Sequence, residues 1–293
     1  MKHLIALIRP HQYIKNILVL VPLFFAAKIT NTDLLLNGLV AFTAFSLSAS
    51  AIYIFNDYKD IKDDRKHPKK KHRPLASGLI NKNTALSLMI ILLITGFFLM
   101  ASVSINSLIV LSVYVFLNIL YSLKLKRIAL LDVTIIAIGF VLRLFAGSFA
   151  YEVSLRLWIV IMTFLLALFM ALAKRRDDVL ILKKSGNKMR KSIDGYNLGL
   201  IDGCMLIMSA VVIVAYIQYT TSQEIIEKFQ NENLYLTTLF VIFGVMRYLQ
   251  MTFVEKNIGS PTEIILKDKI MQINLLLWLL SFIWIIYFTP NFL

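Results

Sequence analysis

Nine stretches of this 293-residue chain are each long and apolar enough to cross a bilayer, and no other feature constrains its fold as strongly. A helix needs about 20 largely apolar residues to traverse a hydrocarbon core about 30 Å thick. The stretches run over residues 14–29, 34–55, 83–102, 105–122, 129–150, 154–173, 199–220, 233–253 and 270–289, the first being short and containing Pro22. They fill nearly the whole length and leave no room for a soluble domain. The expected fold is all-α: a polytopic membrane bundle of nine transmembrane helices. It is read as a single domain over 1–293, with polar cytoplasmic loops at 56–82 and 174–198.

Composition matters here through charge. Only 16% of residues are charged, yet 31 Lys+Arg stand against 17 Asp+Glu, a net charge of +14. Such a surplus can mark a nucleic-acid binder, so its placement decides. With the N-terminus assigned to the cytoplasm, Lys28, Arg156 and Lys228 are the basic residues on the far side. Arg143 and Arg247 fall inside spans, and all the others flank cytoplasmic helix ends. This is the positive-inside pattern. It places the N-terminus in the cytoplasm and the C-terminus outside, and removes the argument for nucleic acid. The first apolar run is followed by others and shows no small-residue cleavage site, so it is not read as a cleavable signal peptide. The single cysteine, Cys204, lies in an apolar run and excludes a disulfide framework.

After the second run the chain reads Asn56-Asp57-Tyr58-Lys59-Asp60-Ile61-Lys62-Asp63-Asp64. If that helix continues, Asp57, Asp60 and Asp64 fall within about 60° of arc, on one face. Hard oxygen ligands in this arrangement suit Mg²⁺, which takes one or two carboxylates and completes its shell with phosphate and water. Asn56 adds a neutral oxygen. A solvated mixed-charge loop is the plain alternative, but uncompensated carboxylates at a membrane surface are costly. The loop continues from His67 through Lys69, Lys70, Lys71, Arg73 and Pro74 to Gly78. We read Lys69–Lys71 as a strip attracted to anionic lipid and Arg73 as a phosphate contact. His67 and His72 are too few and wrongly spaced for zinc.

The sixth run ends in Lys174-Arg175-Arg176-Asp177-Asp178, where Lys174 and Asp178 are one turn apart. The following basic loop includes Arg190, Lys191 and Ser192, then Tyr196; most of its lysines we give to topology. An arginine inside a span is expensive and needs a cavity or a partner, which singles out Arg143 and Arg247. On the fifth run Asp132, Gly139 and Arg143 lie within about 40° of one another, and Gly147 extends the stripe. That face points into the bundle, either as an Asp–Arg brace or as a polar cavity wall. Tyr114, Asn118 and Tyr121 share a face of the fourth run and read as hydrogen-bonded packing. Lys15, Asn16 and Lys126 complete the cytoplasmic-side candidates. No P-loop, His-Glu-x-x-His helix or Gly-x-Ser-x-Gly elbow is present. The implied chemistry is Mg²⁺-assisted transfer from a phosphorylated donor at a membrane surface.

Nine runs with an Asn-Asp-x-x-Asp-x-x-x-Asp stretch after the second resemble the UbiA superfamily of intramembrane prenyltransferases. Within it, Arg9-Pro10-His11-Gln12-Tyr13-Ile14-Lys15-Asn16 resembles the opening of the decaprenyl-phosphate phosphoribosyltransferase branch, with Tyr13 where Trp is usual. Asp64 through Gly78, Leu131-Asp132 with Arg143, Lys174-Arg175, Arg190 to Tyr196, Arg247-Tyr248, and Pro261 with Asp268 look like the same branch. There are departures. The second Asp-x-x-x-Asp motif of prenyl-diphosphate users is absent, because Ile181 and Leu182 follow Asp177 and Asp178 four residues on. Arg176-Asp177-Asp178 also stands where the phosphoribosyl branch reads Tyr-Ala-Glu.

The resemblance implies a phosphoribosyltransferase of the bacterial cytoplasmic (inner) membrane, serving cell-envelope polysaccharide synthesis. Its donor would be phosphoribosyl pyrophosphate and its acceptor a polyprenyl phosphate. Asn56, Asp57, Asp60 and Asp64 would hold Mg²⁺, the three aspartates being catalytic. Lys15, Asn16, Asn56, Arg73, Lys126, Asp132, Arg143, Lys174, Arg175, Asp178, Arg190, Tyr196 and Arg247 form the expected substrate-binding set. A homo-oligomer is compatible with such a bundle. Two other readings are kept: transfer of a prenyl group from a prenyl diphosphate to an aromatic acceptor, and a transporter or flippase, against which the lack of an inverted repeat weighs.

Overall fold

The computed structural model describes residues 2–26, 28, 30–66, 70–186, 191–255 and 267–288. Among them are nine helical stretches long and apolar enough to cross a membrane, as expected from the apolar runs. The chain divides into two compact units, Met1–Arg156 and Leu157–Leu293.

The N-terminal unit holds the first five spans. The first is broken: α1 (Lys2–Ile8), a 3-10 segment Pro10–Val19, and α2 (Val21–Phe25). It therefore starts well before the expected 14–29. Two prolines explain the break, since Pro10 and Pro22 lack the N–H that a continuous α-helix needs. Arg9, at the junction, takes a left-handed backbone (φ 57°) and closes α1 through its N–H to the Ile5 carbonyl at 3.1 Å. The next spans are α3 (Thr32–Lys66), α4 (Lys82–Val103), α5 (Ile105–Leu123) and α6 (Leu131–Ala150). Asn81 and Ser104 cap α4 and α5 by accepting from Asn83 and Ser107 backbone N–H groups.

The core of this unit joins Val19, Leu23, Phe45, Met100, Leu111, Tyr114 and Ala146. Close approach needs small residues. A Cβ on Gly147 would run into the Val19 carbonyl oxygen, so α6 lies directly against the 3-10 segment. A second apolar cluster, with Leu7, Ala51, Ile54, Ile61, Leu75 and Ile80, fixes the loop after α3 against the C-terminal end of that helix.

The C-terminal unit holds α7 (Leu157–Ser185), α8 (Leu198–Thr220), the short α9 (Gln223–Phe229), α10 (Thr238–Phe253) and α11 (Lys269–Phe288). Helix α7 outruns its apolar stretch, expected over 154–173, by about three turns. Among its buried contacts, Tyr216 shares a hydrogen bond with Thr237 at 2.7 Å and accepts one from Trp278 Nε1 at 2.8 Å.

Candidate functional site

In the N-terminal unit α3 runs unbroken to Lys66, so its last turns carry the acidic stretch as helix. Asp57 and Asp64 are buried, 2% and 3% exposed, despite their charge. Buried carboxylates need cations, and they have them. Arg9 Nη2 donates to both Asp57 oxygens at 2.6 and 2.7 Å. Arg73 Nη1 bridges Asp57 Oδ1 at 3.0 Å and Asp64 Oδ2 at 2.8 Å. Asp60, more exposed, takes Lys126 Nζ at 2.5 and 2.7 Å, and the same ammonium reaches Asn56 Oδ1 at 3.2 Å.

The acidic face thus resolves into two clusters, Asp57/Asp64 with two arginines and Asn56/Asp60 with one lysine. Among the described residues no three His, Cys, Asp or Glu side chains converge on a single metal position. Asp57 and Asp64 converge on the shared Arg73 Nη1, whereas Asp60, between them in sequence, is drawn to Lys126. The donor set still suits a hard cation bound through one or two carboxylates and completed by phosphate oxygens. Arg73 is presented by the loop that folds back on α3. Arg65 Nε donates to the Ala76 carbonyl at 3.0 Å, and Pro74, Leu75 and Ala76 are buried beneath.

Deeper in the same unit lies Arg143, 4% exposed. It is not braced by Asp132, which is buried three turns away in the first turn of α6. Instead Nε donates to Asn16 Oδ1 at 2.8 Å, Nη1 to the Gly139 carbonyl at 2.6 Å and Nη2 to Tyr114 OH at 3.2 Å. Its guanidinium also lies over the Phe45, Tyr114 and Phe140 rings, 5.0–5.2 Å from their centroids. Asn16 is itself held by Ser46 Oγ, to which Nδ2 donates at 2.9 Å. Lys15, half-buried, stands within the fields of both Arg9 and Arg143.

In the C-terminal unit Lys174 is exposed, whereas Arg175, Arg176, Asp177 and Asp178 are all buried. Arg175 Nη1 approaches Asp178 Oδ2 at 3.4 Å. Arg176 ties three helices together: Nε donates to Asp202 Oδ1 at 2.7 Å, Nη1 to the Thr252 carbonyl at 2.8 Å, and the guanidinium covers Phe253. Tyr196 is buried just after the 3-10 segment Lys191–Gly195. Arg247 is occupied by carboxylates, Asp268 Oδ2 and Glu255 Oε1, both at 2.6 Å. Its hydrogen bonds hold the Asp268 carboxyl below the usual aspartate range, helped by the Met271 N–H at the start of α11. Arg190 and the stretch around Pro261 lie outside the described residues.

Sequence reasoning placed Asp57, Asp60, Asp64, Asn56, Arg73 and Lys126 among the candidates, and the structure brings them together at one end of α3. It missed Arg9 as their partner and Arg176 as a brace. The signal for Arg9 was an arginine set immediately before a proline, where the helix must break and release the side chain.

The profile of the UbiA prenyltransferase family matches residues 17–222. A decaprenyl-phosphate phosphoribosyltransferase of Mycolicibacterium smegmatis is 31% identical, over 98% of this chain and 93% of the relative. Another enzyme of that name, from Corynebacterium glutamicum, is 29% identical over 99% and 88%. Among solved structures, a UbiA homolog from Archaeoglobus fulgidus bound to DMAPP and Mg²⁺ superposes with a TM-score of 0.71 at 19% identity, covering 98% of this chain and 100% of that one. Taken with the nine apolar helices and the aspartate face of α3, these matches show that the chain is an integral membrane protein belonging to the UbiA prenyltransferase family.

Proposed function

We propose that this protein transfers a 5-phosphoribosyl group from phosphoribosyl pyrophosphate to a polyprenyl phosphate, releasing pyrophosphate, in a Mg²⁺-dependent reaction. The reaction belongs at the cytoplasmic face of a bacterial inner membrane, in cell-envelope polysaccharide synthesis. The observation that carries a phosphate-transfer reading is the α3 face, where three carboxylates meet Arg9, Arg73 and Lys126 at one membrane end. The choice of phosphoribosyl over prenyl donor is supported by near-full-length likeness to two enzymes of that name. The lack of a second Asp-x-x-x-Asp motif on α7 supports it too.

The reaction is a displacement at the anomeric carbon. An acceptor phosphate oxygen forms the new bond to C1, the bond from C1 to the pyrophosphate oxygen breaks, and the electron pair leaves with pyrophosphate. A phosphate monoester is already an anion near neutral pH, so the acceptor needs no general base. Charge grows on the leaving group, and groups aimed at it contribute most. When bound, Mg²⁺ supplies neutralisation of that charge, held by Asp57 with Asp64 and by Asp60 with Asn56. The side chains that now cap these carboxylates, Arg9, Arg73 and Lys126, are placed to turn to donor phosphates once their carboxylates have another cation. Folding the 70–80 loop over α3 keeps Arg73 in place for this exchange.

The test is incubation of purified protein with phosphoribosyl pyrophosphate, polyprenyl phosphate and Mg²⁺, followed by mass spectrometry of the lipid fraction. The expected product is the polyprenyl phosphate heavier by one phosphoribosyl group, absent when Mg²⁺ is chelated. Recovery of unchanged lipid, alongside turnover of a prenyl diphosphate with an aromatic acceptor, would overturn the reading.

A further inference from the structure

Two of the cations withdrawn from the surface of the N-terminal unit, Lys15 and Arg143, are not neutralised by a carboxylate among the described residues. Arg9, Arg73 and Lys126 are each matched to an aspartate. Among the described residues, neither Lys15 nor Arg143 has a carboxylate partner. Every contact of Arg143 is with a neutral oxygen or an aromatic face. Among the described residues Lys15 has no hydrogen-bond partner, and like charges, Arg9 and Arg143, act on it. A buried charge without a counter-charge is costly, more so within a membrane span. Arg143 also commits one N–H from each of its nitrogens and keeps a second on each terminal nitrogen.

We propose that Lys15 and Arg143 form the seat of the acceptor's phosphate head group, the phosphate monoester of a lipid. The assignment rests on the phosphate-acceptor reading above and names a subsite for it, apart from the α3 aspartates. Charge supports it: a phosphate monoester carries about −1.5 to −2 near neutral pH, matching two unpaired cations. Depth supports it as well. Phe45 and Ser46, level with Arg143 and Asn16, lie about three turns before Asp57 on α3, among the apolar core. A free sugar phosphate would set its hydroxyls against Phe45 and Phe140, whereas a lipid phosphate brings a tail that such walls accept. Lys15 immediately precedes Asn16, whose Oδ1 accepts from Arg143 Nε, so the two cations belong to one contact between the 3-10 segment and α6.

The test is binding to purified full-length protein in detergent, by calorimetry, with farnesyl phosphate as a short polyprenyl phosphate. Ribose 5-phosphate and inorganic phosphate serve as competitors. Wild type, Lys15→Gln and Arg143→Lys are compared. Lys15→Gln removes a charge without orphaning a hydrogen bond, so it keeps the test usable where Arg143→Lys fails to fold. The expected result is at least tenfold weaker farnesyl phosphate binding by Lys15→Gln, with affinity for Mg²⁺–phosphoribosyl pyrophosphate changed less than twofold and no competition from the two free phosphates. Unchanged lipid binding, no lipid binding by wild type, competition by ribose 5-phosphate, or loss of donor binding instead would each overturn it. Failure of the transfer reading shows separately, as wild type that forms no phosphoribosyl lipid, and the lipid-binding comparison still reads out the subsite.

Discussion

Asp57 and Asp60 stand one turn apart on α3, yet their environments predict different responses to substitution. Asp57 is buried between two guanidinium groups, so Asp57→Asn leaves Arg9 and part of Arg73 uncompensated. The expected cost is about 3 kcal/mol of stability, since breaking a buried pair costs 3–5 kcal/mol. Asp60 is partly exposed and holds one lysine. Asp60→Asn is expected to change stability by less than about 1 kcal/mol while slowing transfer about 10²-fold, the loss typical for one electrostatic stabiliser of a leaving group. Thermal unfolding in detergent and initial rates on the same preparations separate the two effects. Near wild-type turnover by Asp60→Asn, with Mg²⁺ still required, would remove that carboxylate from the reaction. The aspartates themselves were legible because their spacing alone puts them on one helical face. Of their partners, Arg73 and Lys126 were among the expected cations, but Arg9 was not, because it comes from 48 residues upstream in the chain and no local pattern couples it to Asp57.

At the scale of elements, the apolar runs located every span, while the helices' true lengths escaped. Hydropathy ends where charge begins, but α3 and α7 continue as helix through charged turns to Lys66 and Ser185. Those overshoots present the polar residues. On α7 the consequence is Arg176, which links that helix to Asp202 on α8 and to the end of α10. Arg176→Gln is expected to lower stability by about 2 kcal/mol, because it removes a charge-assisted pair and orphans a buried carbonyl. The same melt applied to Gly147→Val tests the contact of α6 with the 3-10 segment, where overpacking costs about 1–3 kcal/mol or more. The link from Arg247 to Asp268 adds a pH signature. Folding lowers the Asp268 pKa, so the carboxylate's contribution is fully present above the unfolded value, about 3.9, and is lost as pH falls through the lower folded value. Asp268→Asn is therefore expected to melt earlier than the parent at pH 7, with the difference vanishing in strong acid.

For the whole molecule, the distribution of basic residues predicts an N-terminus in the cytoplasm and a C-terminus outside. Reporter fusions active only in one compartment check this at each end, and both termini reporting from the same side would contradict an odd number of crossings. The fold class and family were legible because nine apolar runs and one spaced acidic stretch admit few architectures. The donor was less so, since phosphoribosyl and prenyl transfer both ask for metal, phosphate and carboxylates. The direct measurement gives the purified protein in lipid nanodiscs radiolabelled phosphoribosyl pyrophosphate, with polyprenyl phosphate and Mg²⁺, and follows label into the organic phase. Label is expected in the lipid, with transfer stopping on chelation of Mg²⁺ and falling about 10²-fold in Asp60→Asn; label that stays in the aqueous phase, while a labelled prenyl diphosphate is consumed under the same conditions, would rule out the phosphoribosyl donor.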